Sequence, residues 1–394
     1  MSTQTAARLP DEPLSALPPR IARYLSTERP QTPCVVVDLD IVETLYRDLH
    51  AALPFAALYY AMKANPAPPV MRRLHGLGAR VDVASAAEIE QCLRLGIAPA
   101  DLSYGNTIKK ERDIAWAARQ GIDLFALDCR AELQKIARAA PGARVFVRLF
   151  ADNANAEWPL SRKFGCSPAM ARDLLVEAHR LGLVPYGLSF HVGSQQTDLS
   201  QWDRAFADAA FVFDSLSRIG LRPGMLNIGG GFPSRYRADV PDIDAYGATI
   251  EDCLTRHFGA RADWPVIAAE PGRYLTGDAG VLASEVVLIA EKDIGGPARW
   301  VYLDIGRFGG LAETEGEAIK YRLVTARDGG ENGSVALAGP TCDSADVLYE
   351  KAGYTLPLDL QIGDRVYFLA AGAYTTSYAS QGFNGILPPA EHYI

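Results

Sequence analysis

Residues 57–63 read ALYYAMK, a short apolar run that ends in a lysine. Further short apolar runs follow this one along the chain. Together they occupy residues 57–63, 80–85, 102–106, 123–128, 144–150, 186–193, 225–231 and 265–272. Helical patterns fill the gaps between them, and this alternation predicts βα units and a parallel sheet. Eight such units predict a closed (β/α)8 barrel, whose functional face lies at the carboxyl ends of the strands.

The pattern changes after the eighth run. The later β-rich runs are residues 281–290, 300–304, 321–325, 334–338 and 365–370. Turn residues separate them and leave little room for helices, which predicts an antiparallel β domain. The run PCVVVDLD at residues 33–40 has no place in the barrel series, so we expect it in the β domain. The predicted organisation is a 1–40 segment that joins the β domain, a 41–274 barrel and a 275–394 β domain.

The composition is typical of a soluble globular enzyme. The chain has 394 residues, of which 48% are apolar and 22% charged, and its net charge is −8. An acidic balance gives no support for nucleic acid or a membrane surface as a partner. The six cysteines are scattered without the paired spacing of a metal or redox site, and no signal sequence stands out, so we expect a reduced, cytoplasmic setting without metal.

Lys63 ends the first run, beside apolar strand residues. An interior ammonium is costly unless it is paired or deprotonated, and a partly neutral amine can attack an aldehyde. A lysine that extends to solvent from a strand end is the alternative. His191 ends the sixth run, where it can stack on a planar ligand, transfer a proton, or simply hydrogen-bond within the barrel.

The glycines of NIGGGFP, residues 227–233, close the seventh run. Glycines let a backbone approach an anion closely, and barrels commonly hold phosphate after strands seven and eight; a flexible turn is the alternative. Glu270 and Arg273 follow in AEPGRY. The first suits a heteroaromatic nitrogen and the second a phosphate, unless the two form an internal salt bridge.

Cys342 and Asp343 lie in GPTCDSAD, residues 339–346, within the predicted β domain. A Gly-Pro turn that presents a thiol beside a carboxylate is typical of a site loop. The thiol can donate a proton and the acid can bind a cation. A small buried cysteine followed by a turn aspartate is the alternative.

These segments together resemble one enzyme family. The motifs are YYAMKANP, VDVAS, SFHVGS, NIGGGFP, AEPGRY, GPTCDSAD and GAYTTSYASQGFNG, in that order. The chain resembles the alanine-racemase-like, fold-type III pyridoxal-phosphate (PLP) decarboxylases that act on ornithine, lysine, arginine or diaminopimelate, most of all the ornithine decarboxylases. The resemblance implies a barrel plus a β domain, paired as a homodimer with two shared active sites.

The resemblance also implies residue roles. Lys63 would be the Schiff-base lysine, His191 would stack on the cofactor ring, and Glu270 would face the pyridine nitrogen. The implied phosphate ligands are Ser194, Gly229, Gly230, Gly231, Arg273 and Tyr374. Asp82 and Arg148 would be supporting polar residues around the cofactor.

For the substrate, the resemblance implies that Cys342 enters from the partner subunit as proton donor. Asp343 would bind the distal amine, and Phe383 would lie at the subunit interface. Related diaminopimelate decarboxylases place glutamate after the cysteine, whereas the shorter Asp343 leaves room for a free terminal ammonium. We therefore expect decarboxylation of L-ornithine to putrescine. Lysine is next, because one methylene is worth only ~1–3 kcal/mol in a pocket.

Other readings stay open. They are a dual lysine/ornithine enzyme, a diaminopimelate decarboxylase, a racemase of related fold and a non-enzymatic PLP-binding regulator. Two departures bear on the substrate: Phe308 stands where a tyrosine is expected, and the segment 311–321 lacks the expected aspartate-bearing loop. Glu313, Glu315 or Glu317 is expected to supply the second acid for the distal amine.

Overall fold

The computed structural model describes residues 14–151, 156–158, 163–293 and 295–394. The chain divides into two compact units. The barrel unit consists of residues 39–234 and 239–276. The β unit consists of the residues up to 38, residues 235–238 and residues 277–394.

The bounds of the elements are as follows. The strands of the described residues are β1 Cys34–Val37, β2 Ala56–Ala61, β3 Arg80–Val83, β4 Leu102–Tyr104, β5 Leu124–Leu127, β6 Arg144–Arg148, β7 Val184–Ser189, β8 Met225–Asn227, β9 Val266–Ala269, β10 Gly280–Glu291, β11 Arg299–Leu303, β12 Leu323–Thr325, β13 Asn332–Ala338, β14 Val347–Tyr349, β15 Thr355–Pro357, β16 Arg365–Leu369 and β17 Ala390–Tyr393. The helices are α1 Pro19–Glu28, α2 Leu39–Ala52, α3 Pro68–Gly76, α4 Ala86–Arg94, α5 Glu111–Arg119, α6 Arg130–Ala139, α7 Pro168–Arg180, α8 Gln201–Ser217, α9 Ile243–Phe258 and α10 Arg273–Thr276.

Strands β2 to β9 form a closed barrel in which every neighbouring pair is parallel, including β2 with β9. Helices lie between successive strands, as βα units require. Side chains fill the interior, so the barrel has a packed core. The core cluster contains Tyr59, Leu124, Ala126, Phe146, Met225 and Ala268. The predicted (β/α)8 barrel is confirmed.

The observed strands end earlier than the predicted runs. β7 ends at Ser189 and β8 at Asn227, so His191 and the three glycines lie in the loops beyond. Lys63 lies in a single 3₁₀ turn, Met62–Ala64, directly after β2. The sequence pattern predicted longer strands because apolar, buried residues continue from the strands into the loops at the barrel mouth.

The β unit is a largely antiparallel sheet in the order β12-β16-β10-β11-β13-β14, with β15 paired to β13. β1 joins this sheet from the N-terminal side, antiparallel to β10 and parallel to β17. β11 and β13 are also parallel. The predicted antiparallel β domain is confirmed, with these two parallel pairs as an addition.

The N-terminal segment differs from its prediction in two ways. The predicted 33–40 strand is too long, because β1 ends at Val37 and Leu39 begins α2. The sequence pattern also missed α1, although Pro19 opens its first turn and Ile21 and Leu25 are buried at helical spacing. No helix in the described part of the chain is long and apolar enough to cross a membrane.

Candidate active site

The turn after β2 places Lys63 at the carboxyl end of the barrel. The hydroxyl of Tyr60 donates to the carbonyl of Asn65 at 2.9 Å, and the side chain of Asn65 accepts from the backbone N–H of Ala67 at 3.2 Å. These two bonds fix the turn on both sides of the lysine. Lys63 itself is exposed at the barrel mouth, so its amine is accessible to a ligand.

Glu270 follows β9 in the same mouth. The amide of Asn227 donates to its Oε1 at 2.5 Å, and the Oδ1 of Asn227 accepts from the backbone N–H of Gly229 at 2.9 Å. Burial raises the pKa of Glu270, while the Asn227 hydrogen bond, Arg148 and Lys63 act to lower it. Asn227 therefore favours the ionised carboxylate and ties it to the glycine turn.

Asp82 is the penultimate residue of β3 and belongs to the same group of charges. Burial raises its pKa well above the ordinary value, and the charge of Glu270 raises it further, against the opposing effect of Lys63. Its Oδ1 is buried without a hydrogen-bond partner among the described residues. A buried oxygen of this kind costs free energy unless a ligand or water satisfies it, which favours an occupant in the mouth.

Arg148 is the last residue of β6. Burial lowers its pKa, while the nearby carboxylates of Glu270, Asp128 and Asp82 raise it. Its guanidinium lies over the ring of Phe164 at 4.9 Å from the centroid. The arginine thus balances the two buried acids of the mouth.

The Nδ1 of His191 accepts a hydrogen bond from the backbone N–H of Gly193 at 3.1 Å. A neutral imidazole with an accepting Nδ1 carries its proton on Nε2. Burial lowers the pKa of His191 well below its ordinary value, and the charges of Arg148 and Lys63 lower it further. His191 is therefore neutral at physiological pH, which suits stacking on a flat ring better than ionic binding.

Gly229, Gly230 and Gly231 form a close-packed turn after β8. A Cβ at these positions would lie 2.2 Å from the carbonyl oxygen of Phe190, 2.6 Å from that of Glu270 and 2.8 Å from that of Gly193, respectively. Gly229 and Gly231 also have positive φ values of 67° and 119°. Only glycine fits here, because backbone carbonyls of the protein lie directly against this turn, which we call the glycine cradle.

Arg273 begins α10 beside this cradle and is buried. Its Nη2 and Nε donate to the hydroxyl of Ser194 at 3.0 and 3.2 Å. Ser234 donates to the carbonyl of Arg273 at 3.1 Å, and the amide of Gln195 bonds the backbone of Ser234 through both of its atoms. A guanidinium and a hydroxyl held in this way can bind a phosphate.

The β unit carries the remaining predicted residues. Cys342 and Asp343 are exposed, and Cys342 donates its backbone N–H to the Oδ1 of Asn384 at 3.0 Å. Asp343 accepts from the N–H of Ala345 at 2.8 Å. Phe383 is 38% exposed. Tyr374 is half-buried with a left-handed φ of 55°.

Phe308, found where a tyrosine was expected, packs against Phe383 with ring centroids 4.9 Å apart. The three acids of the neighbouring segment differ in their environment. Glu313 is buried at 2% exposure and Glu315 is exposed. The carboxylate of Glu317 accepts from the backbone N–H groups of Glu350 and Lys351 at 2.6 and 2.7 Å. Glu317 is thus bound within the fold.

Comparison with known proteins decides the family. The family model of the pyridoxal-dependent decarboxylases, pyridoxal binding domain, matches residues 39–277, which span the barrel unit. The chain belongs to this family. The predicted resemblance to fold-type III PLP decarboxylases is confirmed, and so is PLP as the cofactor of this decarboxylase.

The lysine/ornithine decarboxylase of Selenomonas ruminantium is 36% identical over 359 residues, which cover 91% of this chain and 88% of the relative. Antizyme inhibitor 2 of Xenopus laevis is 33% identical over 373 residues, 91% of this chain and 80% of the relative. Among solved structures, the lysine/ornithine decarboxylase of Vibrio vulnificus complexed with cadaverine superposes with a TM-score of 0.85 at 33% identity, covering 95% of this chain and 98% of that one.

The barrel mouth fits PLP on its own geometry. The bonded pair of Arg273 and Ser194 beside the glycine cradle suits a phosphate, and the buried Oδ1 of Asp82 has no hydrogen-bond partner among the described residues. Sequence reasoning missed Asn227, although it lies inside the quoted motif NIGGGFP and only its contact with Glu270 shows its part in the site.

Proposed function

We propose that this decarboxylase converts L-ornithine to putrescine and CO₂ in polyamine biosynthesis. The barrel mouth carries the proposal, because four kinds of group follow the carboxyl ends of its strands. They are the amine of Lys63, the neutral imidazole of His191, the amide-bonded carboxyl group of Glu270, and Arg273 beside the glycine cradle. The amine suits an aldehyde, the imidazole a flat ring, the carboxyl group a ring nitrogen, and the arginine with the cradle a phosphate. Family membership supports the same reaction class.

Bound PLP supplies an electron sink that makes the carboxylate on the substrate Cα easy to lose. Lys63 would hold the cofactor covalently through its amine. Glu270, whose ionised form the Asn227 hydrogen bond favours, would hold a proton on the ring nitrogen. His191 would pack against the ring as a neutral imidazole, with Asp82 and Arg148 as polar neighbours.

The phosphate would be held by Arg273, Ser194 and the backbone at residues 229–231, with Tyr374 proposed as a further donor. Arg273 and Ser194 are already bonded to each other, so the anion would meet donors whose positions are set before it binds.

After CO₂ leaves, the substrate Cα needs a proton, and Cys342 donates it from its thiol. Asp343 binds the distal ammonium of the substrate, and Phe383 and Phe308 form an apolar wall along its methylene chain. Glu313 is the second acid in this proposal. A KM for ornithine that is unchanged in Glu313→Gln would remove it from the substrate site.

Cys342 and Asp343 are exposed within their own chain, which supports their insertion into another surface. We include in the proposal a homodimer in which each chain lends this pair to the barrel of its partner. Two-fold dimers create two equal composite sites in this way. The acidic composition and scattered reduced cysteines support a cytoplasmic enzyme.

A second candidate function is a dual lysine/ornithine decarboxylase that also yields cadaverine. It is favoured by the two relatives that carry that name at 36% and 33% identity. One added methylene is worth only ~1–3 kcal/mol, so the apolar wall of Phe308 and Phe383 accepts either chain length. A non-enzymatic regulator is the remote candidate, suggested by the antizyme inhibitor relative.

The test is CO₂ release by the PLP-loaded protein with ornithine, lysine, diaminopimelate and arginine, each measured as kcat/KM. We expect ornithine to lead by about tenfold, the effect of one methylene. Equal values for ornithine and lysine would establish the dual enzyme. If none of the four substrates released CO₂ while the cofactor was bound, the non-enzymatic regulator would be the remaining candidate function.

A further inference from the structure

A buried carboxylate lies four residues after Cys342. Asp346 is only 2% exposed. Its Oδ1 accepts from the backbone N–H of Arg307 at 2.7 Å. Its Oδ2 accepts from the backbone N–H and the hydroxyl of Thr341, at 3.1 and 2.7 Å. One side chain therefore joins two loops that are distant in sequence.

The space around this carboxylate is shaped for aspartate. A Cβ on Gly306 would lie 2.1 Å from a carboxylate oxygen of Asp346, and a Cβ on Gly339 would lie 2.4 Å away. Gly339 also donates its N–H to the backbone carbonyl of Asp346 at 2.8 Å. Two glycines thus make room for the acid, and a longer side chain would collide with backbone.

The two loops carry the groups that the proposed function uses. Thr341 directly precedes Cys342, and Asp346 donates its N–H to the carbonyl of Asp343 at 3.0 Å, which closes the turn between them. On the other loop, Arg307 directly precedes Phe308. A change at Asp346 is therefore transmitted to the thiol, the acid and the aromatic wall together.

We propose that Asp346 is a positioning residue that holds the backbone of Cys342 and Asp343 in place against the Phe308 loop. Its carboxylate oxygens bond to Arg307 and Thr341. An amide in its place keeps one acceptor oxygen and turns its NH2 group toward the donors of either Arg307 or Thr341, which then lose a buried acceptor. The consequence for activity rests on the proposed function, whereas the consequence for the loop does not.

The test compares Asp346→Asn with Asp293→Asn, the same change at an exposed site, in the full-length holoenzyme. The activity readout is kcat/KM for ornithine per cofactor-loaded site. We expect a loss of about tenfold or more for Asp346→Asn, with normal cofactor absorbance, and no loss for Asp293→Asn. A loss that only follows the fraction of folded protein would overturn the positioning role.

The second readout is independent of activity. Cys342 is exposed, Cys129 is half-buried and Cys34, Cys92, Cys166 and Cys253 are buried. In a Cys129→Ser background, at a dilution where single chains predominate and Cys342 is uncovered, the rate at which an aromatic disulfide reagent labels Cys342 reports the loop conformation. We expect Asp346→Asn to change this rate about threefold or more, since a loop freed from one hydrogen bond samples other conformers. An unchanged rate would contradict the proposal.

A milder pair covers the case in which Asp346→Asn fails to fold. Thr341→Val removes the hydroxyl bonded to Asp346, and Thr341→Ser keeps it. We expect the valine variant to lose activity and alter Cys342 labelling, and the serine variant to restore both. Equal behaviour of the two variants would contradict the proposal. If wild-type protein releases no CO₂, the proposed function fails while the labelling result still decides the role of Asp346.

Discussion

The barrel mouth and the Cys342 loop hold their functional groups in opposite ways. In the mouth, burial is the largest influence on the pKa of Asp82, Arg148, His191 and Glu270. In the β unit, by contrast, Cys342 and Asp343 are exposed, and hydrogen bonds between backbone N–H groups and side-chain oxygens hold their loop. One region has its charges arranged in advance, and the other presents reactive groups to solvent.

This difference teaches which part of the chemistry a single chain can prepare. A buried charge network stabilises a bound cofactor because its dipoles are already oriented when the ligand arrives. An exposed thiol gains a comparable environment only when another surface covers it. The contrast therefore supports the proposal of an active site formed by two chains, in which the barrel mouth is the preorganised part.

The largest expected effect comes from a change in the barrel mouth. Lys63→Ala removes the amine proposed to hold the cofactor, and we expect kcat to fall on the order of 10⁴-fold or more. The measurement is CO₂ release together with cofactor absorbance. Lys351→Ala, at an exposed lysine of the β unit, is the control and should retain full activity. Substantial turnover by Lys63→Ala would refute its assigned role.

A smaller effect sharpens the account of the mouth. Asn227→Ala removes the hydrogen bond that lowers the pKa of Glu270, so that pKa rises. In the proposed mechanism the ionised carboxylate is the active form, so activity should be present above this pKa, and the acidic limb of the kcat profile should move to higher pH. We expect kcat at pH 7 to fall about tenfold or more, the effect of one charge-assisted hydrogen bond.

The control for this profile is Asn332→Ala, an exposed change at the start of β13 that should leave the pH dependence as in wild type. Spectrophotometric titration of the cofactor gives the same test without turnover. An acidic limb that stays in place in Asn227→Ala would show that Glu270 does not set it.

The smallest effect concerns stability without cofactor. Burial raises the pKa of Asp82 above its unfolded value, so its contribution to stability is complete below the unfolded pKa and is lost as pH rises through the folded pKa. Asp82→Asn has no ionisable group at this position, so the variant does not lose this stability as the pH rises. We expect the Tm of the cofactor-free variant to exceed that of wild type by about 2 °C or more at neutral pH, and the gap to shrink toward pH 4.

Thermal unfolding between pH 4 and 8 measures this, with Asp293→Asn as the exposed match. A gap that grows toward acid pH would mean that Asp82 is ionised and stabilising in the folded barrel. The cofactor-loaded form should show a smaller gap, since bound PLP offers a partner to the buried oxygen.

Much of the fold was predictable because the alternation of strand and helix repeats along the barrel, and apolar runs mark each strand. The strand ends were harder to predict, because Ile228, Gly229 and Gly230 are buried like strand residues and yet belong to a loop. Helix α1 was missed because its polar, Pro-rich surroundings hid the spacing of Ile21 and Leu25. The two parallel pairs of the β unit join strands far apart in sequence, which no local pattern records.

The candidate site was predictable where a motif carries its own chemistry, as with Lys63 in YYAMKANP or the glycine run. Contacts between motifs were not. The bond from Asn227 to Glu270 spans two strand ends, and the bond from Asp346 to Arg307 spans two loops, so both appear only in the folded chain. Glu317 differs in the opposite sense. The sequence suggested it as a substrate-binding acid, but in the structure its carboxylate accepts hydrogen bonds from backbone N–H groups.

The most direct test of the account is subunit mixing. In the proposed homodimer, Lys63→Ala would lack the cofactor lysine in its own barrel, and Cys342→Ala would lack the thiol that it supplies to its partner, so we expect each variant to be inactive alone. After free exchange, half of the dimers are mixed and each contains one intact site, so about a quarter of wild-type activity should return. No recovery, with exchange demonstrated by differential labelling, would contradict an active site shared between two chains.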